Sequence, residues 1–319
     1  MNWLPRLLGV LLILSALVLA LSRAPEVPAE GLVARWAPPP SDFIAVRDMV
    51  VHVRDEGPRD DPEPIVLLHG TSASLHTWDG WTLALKRHKR VVRFDLPGFG
   101  LTGPFAGEYA PDDYRGDAYA RFVLDVMDAL KLQRAVLAGN SLGGEVAWRV
   151  ASLAPERVTR LVLLNATGLD HKPESVPLGF VLARLPVIST LGESIMPREL
   201  VAASIASVYG SPAKVTPELV DRYYQLTLRE GNRRALSLRL RQLEPGAAAD
   251  RLAQLKQPTL ILWGGRDRLV PPPAGEEMQR RIPGSQRQVF EALGHVPQEE
   301  DPVATVRPVQ AFLGLPITP

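Results

Sequence analysis

Two apolar rhythms alternate along most of the chain. Compact runs such as IVLL (residues 65–68), VVRFDL (91–96), AVLA (135–138), LVLL (161–164) and TLILW (259–263) end in turn residues. Short continuous apolar runs of this kind read as strands buried on both faces. FIAVRDMVVHV (43–53) reads as two strands around Arg47-Asp48, and QVF (288–290) as a last short strand. Between these runs the spacing becomes helical. Phe122, Val123, Val126, Met127 and Leu130 predict a helix over 117–130, and further helices are expected over 142–153, 274–281 and 302–313, the last with Pro302 at its start and Pro308 as an irregularity. Strands alternating with helices predict an α/β fold, with a mostly parallel central sheet and helices on both faces. The rhythm breaks from Gly168 to Asp250, where helical segments (220–228 and 234–243) occur without a strong strand. That block reads as a helical insertion between two sheet strands.

The N-terminus has neither rhythm. LLGVLLILSALVLAL (7–21) is apolar apart from Gly9 and Ser15, with Arg6 before it and Arg23 after. Its length falls between a signal-peptide core and a spanning helix of ~20 residues. It is expected to be a membrane anchor, with the folded part outside the cytoplasm, or a cleaved signal that leaves a secreted or periplasmic protein. RAPEVPAEGLVARWAPPPS (23–41) is rich in proline and small residues, and is expected to be an extended linker. The expected organisation is therefore a targeting segment (1–24), a linker (25–41), a core (42–167 and 251–319) and the helical insertion (168–250).

Composition narrows the chemistry. The 319 residues carry a net charge of +1, which gives no electrostatic reason to expect nucleic acid. There is no cysteine, so disulfides, thiolate metal sites and cysteine nucleophiles are excluded. No histidine pair has a metal-binding spacing, and neither a metal nor another cofactor is expected. Gly98-Phe99-Gly100-Leu101-Thr102-Gly103 satisfies G-x-G-x-x-G after a strand, but Pro104 and Gly107 continue it as loop, so a dinucleotide site is not expected.

One stretch calls for a chemical reading. VLAGNSLGG (136–144) runs an apolar strand into a serine hemmed by glycines, with a helix beyond. Gly139-Asn140-Ser141-Leu142-Gly143 fits the G-x-S-x-G turn that lifts a nucleophilic hydroxyl above a sheet edge. The helix opening at Leu142 aims N–H groups and its positive end at the same spot. A serine hydroxyl needs a base, and the base an orienting acid. Asp267 follows the strand 259–263, and His295 is the only histidine downstream of it. Ser141, Asp267 and His295 are the candidate nucleophile, acid and base.

These stretches, with His69-Gly70-Thr71, DLPGFG (95–100), GGRDRLVP (264–271) and GHVPQEEDP (294–302), resemble the α/β-hydrolase superfamily from about Asp42 to Leu313. The resemblance implies that 168–250 is a cap, or lid, over the site. It also implies that the backbone N–H of Thr71 joins that of Leu142 in an oxyanion hole, with Ser72 the neighbouring candidate. Carboxylic ester hydrolysis through an acyl-enzyme is the expected activity, with a small ester or acyl compound as substrate. Asn140 resembles the residue before the serine in meta-cleavage C–C hydrolases, but Val296 stands where they carry a tryptophan. C–C cleavage, other triad chemistry and a non-catalytic binding module remain alternatives. Asn140 and Trp78 are candidate substrate contacts, with Trp81 beside the latter. His69 is expected to shape its loop and His76 to face the cap or solvent. Asn165-Ala166-Thr167 is a glycosylation sequon. Arg222, Arg229, Arg233, Arg234, Arg239 and Arg241 are expected on a solvated cap face, where an anionic membrane or an acidic substrate would meet them.

Overall fold

The computed structural model of the chain describes residues 3, 6–11, 13, 22–185 and 194–317. Eight strands form one sheet: β1 (Ser41–Val46), β2 (Met49–Glu56), β3 (Ile65–Leu68), β4 (Val91–Phe94), β5 (Ala135–Asn140), β6 (Val158–Leu164), β7 (Thr259–Gly264) and β8 (Gln286–Phe290). Their order is β1-β2-β4-β3-β5-β6-β7-β8. The β1-β2 hairpin runs antiparallel at one edge, and every pairing from β4 to β8 is parallel. Alternation along the strands feeds two cores. Val66, Leu68, Leu137, Leu161, Leu163, Ile261 and Trp263 pack on one face. Ile65, Leu67, Val136, Ala138, Val162, Leu164, Leu260 and Leu262 pack on the other. Both faces are covered, which is why these strands read as unbroken apolar runs.

The helices are α1 (Glu30–Trp36), α2 (Asp79–Leu85), α3 (Gly116–Ala129), α4 (Leu142–Leu153), α5 (Leu178–Arg184), α6 (Arg198–Val208), α7 (Pro217–Thr227), α8 (Asn232–Arg241), α9 (Pro272–Arg281), α10 (Pro297–Glu300) and α11 (Pro302–Phe312). Helices α3, α4 and α9 cover the first face, and α2 and α11 the second. Helices α5 to α8 fill the interval between β6 and β7 where an insertion is expected. The terminal helix is split: α10 is a separate turn, Asp301 caps α11 by accepting the Ala304 N–H at 3.0 Å, and Pro308 stays inside α11. Trp78 is a correction. It is fully buried in the second core, its ring 5.0 Å from that of Trp81, and it does not line the cavity described below.

The proline-rich segment is also corrected. It is not a free linker. Val27 N–H donates to Leu228 O at 2.8 Å, and Glu230 N–H returns a bond to Val27 O at 2.9 Å. Ala24 is buried with Met196 and Leu228, and Leu32 with Leu101 and Leu226. The Trp36 indole donates to Gln225 on α7 at 2.9 Å. His76, expected to face the cap or solvent, is buried away from solvent, with Nε2 on Trp36 O at 2.8 Å and Nδ1 on Ser74 Oγ at 3.0 Å. The segment is thus a strap across the helices between β6 and β7. Nor is it extended throughout, because Glu30–Trp36 within it form helix α1. No helix among the described residues is long and apolar enough to cross a membrane, and residues 12 and 14–21 of the apolar run lie outside them.

Two outcomes follow from the strap. Leu32→Ala should lower the unfolding free energy in urea by roughly 2–5 kcal/mol, as for other buried leucines, whereas a free linker would show no change. Burial pushes the His76 imidazole down to about 4; Asp95 opposes this, while Arg54 and Arg222 reinforce it. Unfolded chains take up this proton near the ordinary value of 6.5 and the fold only near 4, so His76 removes stability as pH falls through that window. His76→Asn should flatten that part of the stability profile. Equal slopes in variant and wild type would contradict the assignment.

Candidate active site

The carboxyl ends of β3, β5, β6, β7 and β8 lead into His69-Gly70-Thr71, Ser141, Asn165, Asp267 and His295, at the rim where open α/β sheets hold their ligands. Ser141 sits between β5 and α4 with φ 54° and ψ −117°, a conformation that non-glycine residues rarely adopt. The flanking glycines explain how the chain reaches it. A Cβ on Gly139 would lie 2.1 Å from Gly143 O, and one on Gly143 would lie 2.1 Å from Leu68 O. Only bare backbone lets α4 begin so close to the end of β3. The turn is then pinned, because Ser141 N–H donates to Leu164 O at 3.0 Å and Ser141 O accepts from Glu145 and Thr167.

His295 is held at three points. Its Nδ1 bonds Asp267 Oδ2 at 2.7 Å, its backbone N–H donates to Val208 O at 2.7 Å, and its carbonyl accepts from the Asn140 amide at 2.9 Å. Asp267 is saturated. Oδ1 accepts from the N–H groups of Leu269 and Val270, both at 2.9 Å, and Oδ2 also accepts from the Asn165 amide at 2.7 Å. These bonds satisfy the buried carboxyl group and fix its orientation. The Ser141 hydroxyl has no hydrogen-bond partner among the described residues, and it shares a cavity wall with His295. Such contacts are often long before substrate binds.

Asn165 was read from the sequence only as a sequon. Its amide is wholly buried and spent on Asp267 Oδ2 and the Gly264 N–H, so the folded chain offers no acceptor for a glycan. Asn140 contributes to the cavity wall, but both its amide hydrogens go to backbone carbonyls, those of Leu164 and His295. It holds the histidine loop, which differs from the expected substrate contact. Glu300 braces the same loop by accepting from the N–H groups of Gly294, Gly210 and Ser211 at 2.8 to 2.9 Å.

Leu142 opens α4, where first-turn N–H groups lack intrahelical partners. Among the described residues neither its N–H nor that of Thr71 makes a hydrogen bond. Thr71 and Ser72 both line the cavity, and Ser72 has φ 60°. His69 shapes this loop. Its Nε2 accepts from Leu96 N–H at 2.9 Å, so the ring proton lies on Nδ1, which donates to Gly70 O at 2.8 Å. Burial lowers its pKa against the pull of Asp95, keeping the ring neutral. The G-x-G-x-x-G match is a turn closed on Asp95, which accepts from Leu101 and Leu75, and no helix opens on its glycines.

The cavity measures about 650 Å³ and reaches from Ser141 and His295 up to α5, α6 and α8. Most of its lining is apolar, including Phe180, Met196, Ile205, Leu236, Leu240 and Val296. One side is polar, where Glu145 Oε2 takes Arg239 at 3.1 Å and Thr167 Oγ1 at 3.0 Å. The basic residues are mostly not on a solvated face. Arg239 and Arg233 are buried, Arg229 is half-buried, and Arg222 pairs with Glu299, which also accepts from Tyr209 and Tyr223. Arg234 and Arg241 alone of the six stand at the surface. Among the described residues no three acidic or histidine side chains converge as metal ligands.

Asn165→Ala removes one hydrogen bond to a buried carboxylate, which is worth about 1.5–3 kcal/mol. It should lower kcat roughly 10- to 100-fold with KM little changed. Unchanged kcat would mean that Asp267 is held without it.

The comparisons with known proteins agree with this geometry. Residues 63–302 match a family model described as alpha/beta hydrolase fold. A 2-hydroxy-6-oxo-2,4-heptadienoate hydrolase of Pseudomonas putida is 30% identical over 259 residues, covering 78% of this chain and 88% of that protein. A 2-hydroxy-6-oxononadienedioate/2-hydroxy-6-oxononatrienedioate hydrolase of Comamonas testosteroni is 28% identical over 282 residues, covering 82% and 91%. Among solved structures, a serine-to-alanine mutant of a meta-cleavage product hydrolase from Pseudomonas fluorescens IP01, complexed with acetates, superposes with a TM-score of 0.73 at 26% identity over 86% of this chain and 97% of that one. With the family model spanning residues 63–302, most of the chain, and a relative 30% identical over 78% of it, the chain belongs to the alpha/beta hydrolase fold family.

Proposed function

We propose that this hydrolase works through Ser141, His295 and Asp267, and that it cleaves a carbon–carbon bond beside a ketone in an unsaturated oxo-acid. The observation that carries the serine mechanism is the strained Ser141 turn, sharing one cavity with a histidine whose Nδ1 lies 2.7 Å from a saturated aspartate. Ser141 Oγ adds to the carbonyl carbon as His295 Nε2 takes its proton. The oxyanion is received by the N–H groups of Thr71 and Leu142. Before this addition the 2-hydroxydienoate tautomerises, its enol proton moving to the carbon beside the ketone. Collapse then breaks the carbon–carbon bond, with the electron pair delocalised into the 2-oxo group as a dienolate. The dienolate takes the proton from His295 and leaves an acyl-serine. Water, deprotonated by His295, then releases the acid.

The choice of bond rests on the relatives, whose names specify 2-hydroxy-6-oxo acids, and on Asn140 before the serine. The polar wall of Glu145, Thr167 and Arg239 would face the oxygenated end of such a substrate, and the apolar wall the rest. A second reading is favoured by one residue. Val296 lines the cavity where the C–C hydrolases carry a tryptophan, and an apolar lining suits a simple acyl ester, whose alcohol would leave with the His295 proton. In both readings the helices between β6 and β7 act as a cap, and residues 7–21 as the segment that takes the chain to a membrane.

The test is a comparison of kcat/KM for a 2-hydroxy-6-oxodienoate, followed by loss of its absorbance, with that for p-nitrophenyl esters of increasing chain length. Preference for the dienoate supports C–C cleavage, and preference for the esters supports the second reading. Ser141→Ala should lower kcat on the better substrate by several orders of magnitude with the melting temperature retained. A variant that kept more than a tenth of the activity would refute both.

A further inference from the structure

Helix α5 reads LGFVLAR and is apolar on two opposite sides. Gly179, Phe180 and Ala183 turn inward to the cavity, and α8 packs there through Ser237 Oγ, which donates to Ala183 O at 2.6 Å. The outer stripe is different. Leu178, Val181 and, just past the helix, Leu185 follow the i, i+3, i+7 spacing of one face and stand 57%, 42% and 45% exposed. Val176, before the helix, both lines the cavity and is exposed. Single exposed leucines are ordinary, but a contiguous apolar patch beside a cavity marks an interaction surface.

The path of the chain names the occupant. Met196 N–H donates to Ser22 O at 3.1 Å, Ala24 N–H donates to Ser194 O at 2.9 Å, and Arg23 bridges Ile195 in antiparallel fashion. Ile195 and Met196 line the same cavity as α5. Ser22 is thus bonded against the cavity wall, and in the sequence the apolar run of residues 7–21 immediately precedes it. The strap bonds Ser22 and Ala24 to the segment that carries Ile195 and Met196, so the described strap starts at the cavity wall and is not a free linker there.

We propose that the outer face of α5, with Val176 and Leu185, is a docking surface for the lipid bilayer, and that it seats the cavity on the membrane so that apolar substrate enters from the lipid. The inference rests on reading residues 7–21 as a membrane segment, and adds that the cap itself touches lipid.

The absence of cysteine makes the test direct. Full-length chains carrying Val181→Cys or Leu83→Cys are labelled with a polarity-sensitive fluorophore and mixed with phosphatidylcholine vesicles. Leu83 is also apolar and is more exposed, but lies on α2 and does not line the cavity. On vesicles that carry the chain in flotation, the label at position 181 should shift to the blue and be quenched by lipids spin-labelled in the acyl chain, while the label at 83 does neither. Adding Leu178→Asp should abolish the shift at 181 without dissolving the fold, since Leu178 is exposed and outside the cavity lining. A chain that floats with position 181 still in water overturns the docking surface alone. A chain that does not float overturns the membrane reading as well, and equal shifts at 181 and 83 show no specific face.

Discussion

The structure turns on one backbone conformation. Ser141 is held at positive φ between the central strand β5 and the first turn of α4, and strain of this kind costs about 1–3 kcal/mol. It persists because the surroundings over-determine it. β5 is paired on both sides, by β3 and β6, and its residues are buried in both cores. Gly139 and Gly143 pass within a distance that no side chain would permit. The result is a hydroxyl at the sheet rim with the unbonded N–H of Leu142 beside it, before any substrate arrives. Catalytic groups placed in this way need no reorganisation during reaction.

The other side chains of the site are held by partners from several strands. Asp267 extends from β7 and is fixed partly by Asn165 from β6. His295 follows β8 and is fixed by Asn140 from β5 and by the carbonyl of Val208 at the end of α6. The last contact ties α6 to the histidine loop, and Glu300 strengthens it by bonding N–H groups on both sides. The end of α6 and the His295 loop are therefore bonded to each other directly. The helices between β6 and β7 are strapped by residues 22–36.

The legible part of the sequence was the local part. The apolar runs gave the strands because a strand buried on both faces has no polar side to confuse it, and the serine turn announced itself through adjacent glycines. Asp267 and His295 were legible through order and position after strands. What escaped was long-range pairing. Asn165 bonds a residue 102 positions away, and Arg239 meets Glu145 at a separation of 94, so nothing nearby marked either as more than a sequon or a surface arginine. Trp78 follows the oxyanion loop by only a few residues, yet its ring turns into the opposite core, because the short helical turn at Leu75–Trp78 points the chain beneath the sheet. Residues 23–41 misled through composition. Proline content argues for an extended chain, yet Glu30–Trp36 form α1, and composition says nothing about the partners Leu101, Leu226 and Leu228 that receive the segment.

The central claim is that Ser141 is the nucleophile, and covalent labelling tests it without knowledge of the natural substrate. The native chain is treated with a fluorophosphonate and digested, and the modified peptide is located by mass spectrometry. The account predicts one adduct, on Ser141, formed in step with loss of activity and absent when the chain is unfolded before labelling. An enzyme inactivated with its adduct on another residue, or fully active after stoichiometric modification of Ser141, would contradict it.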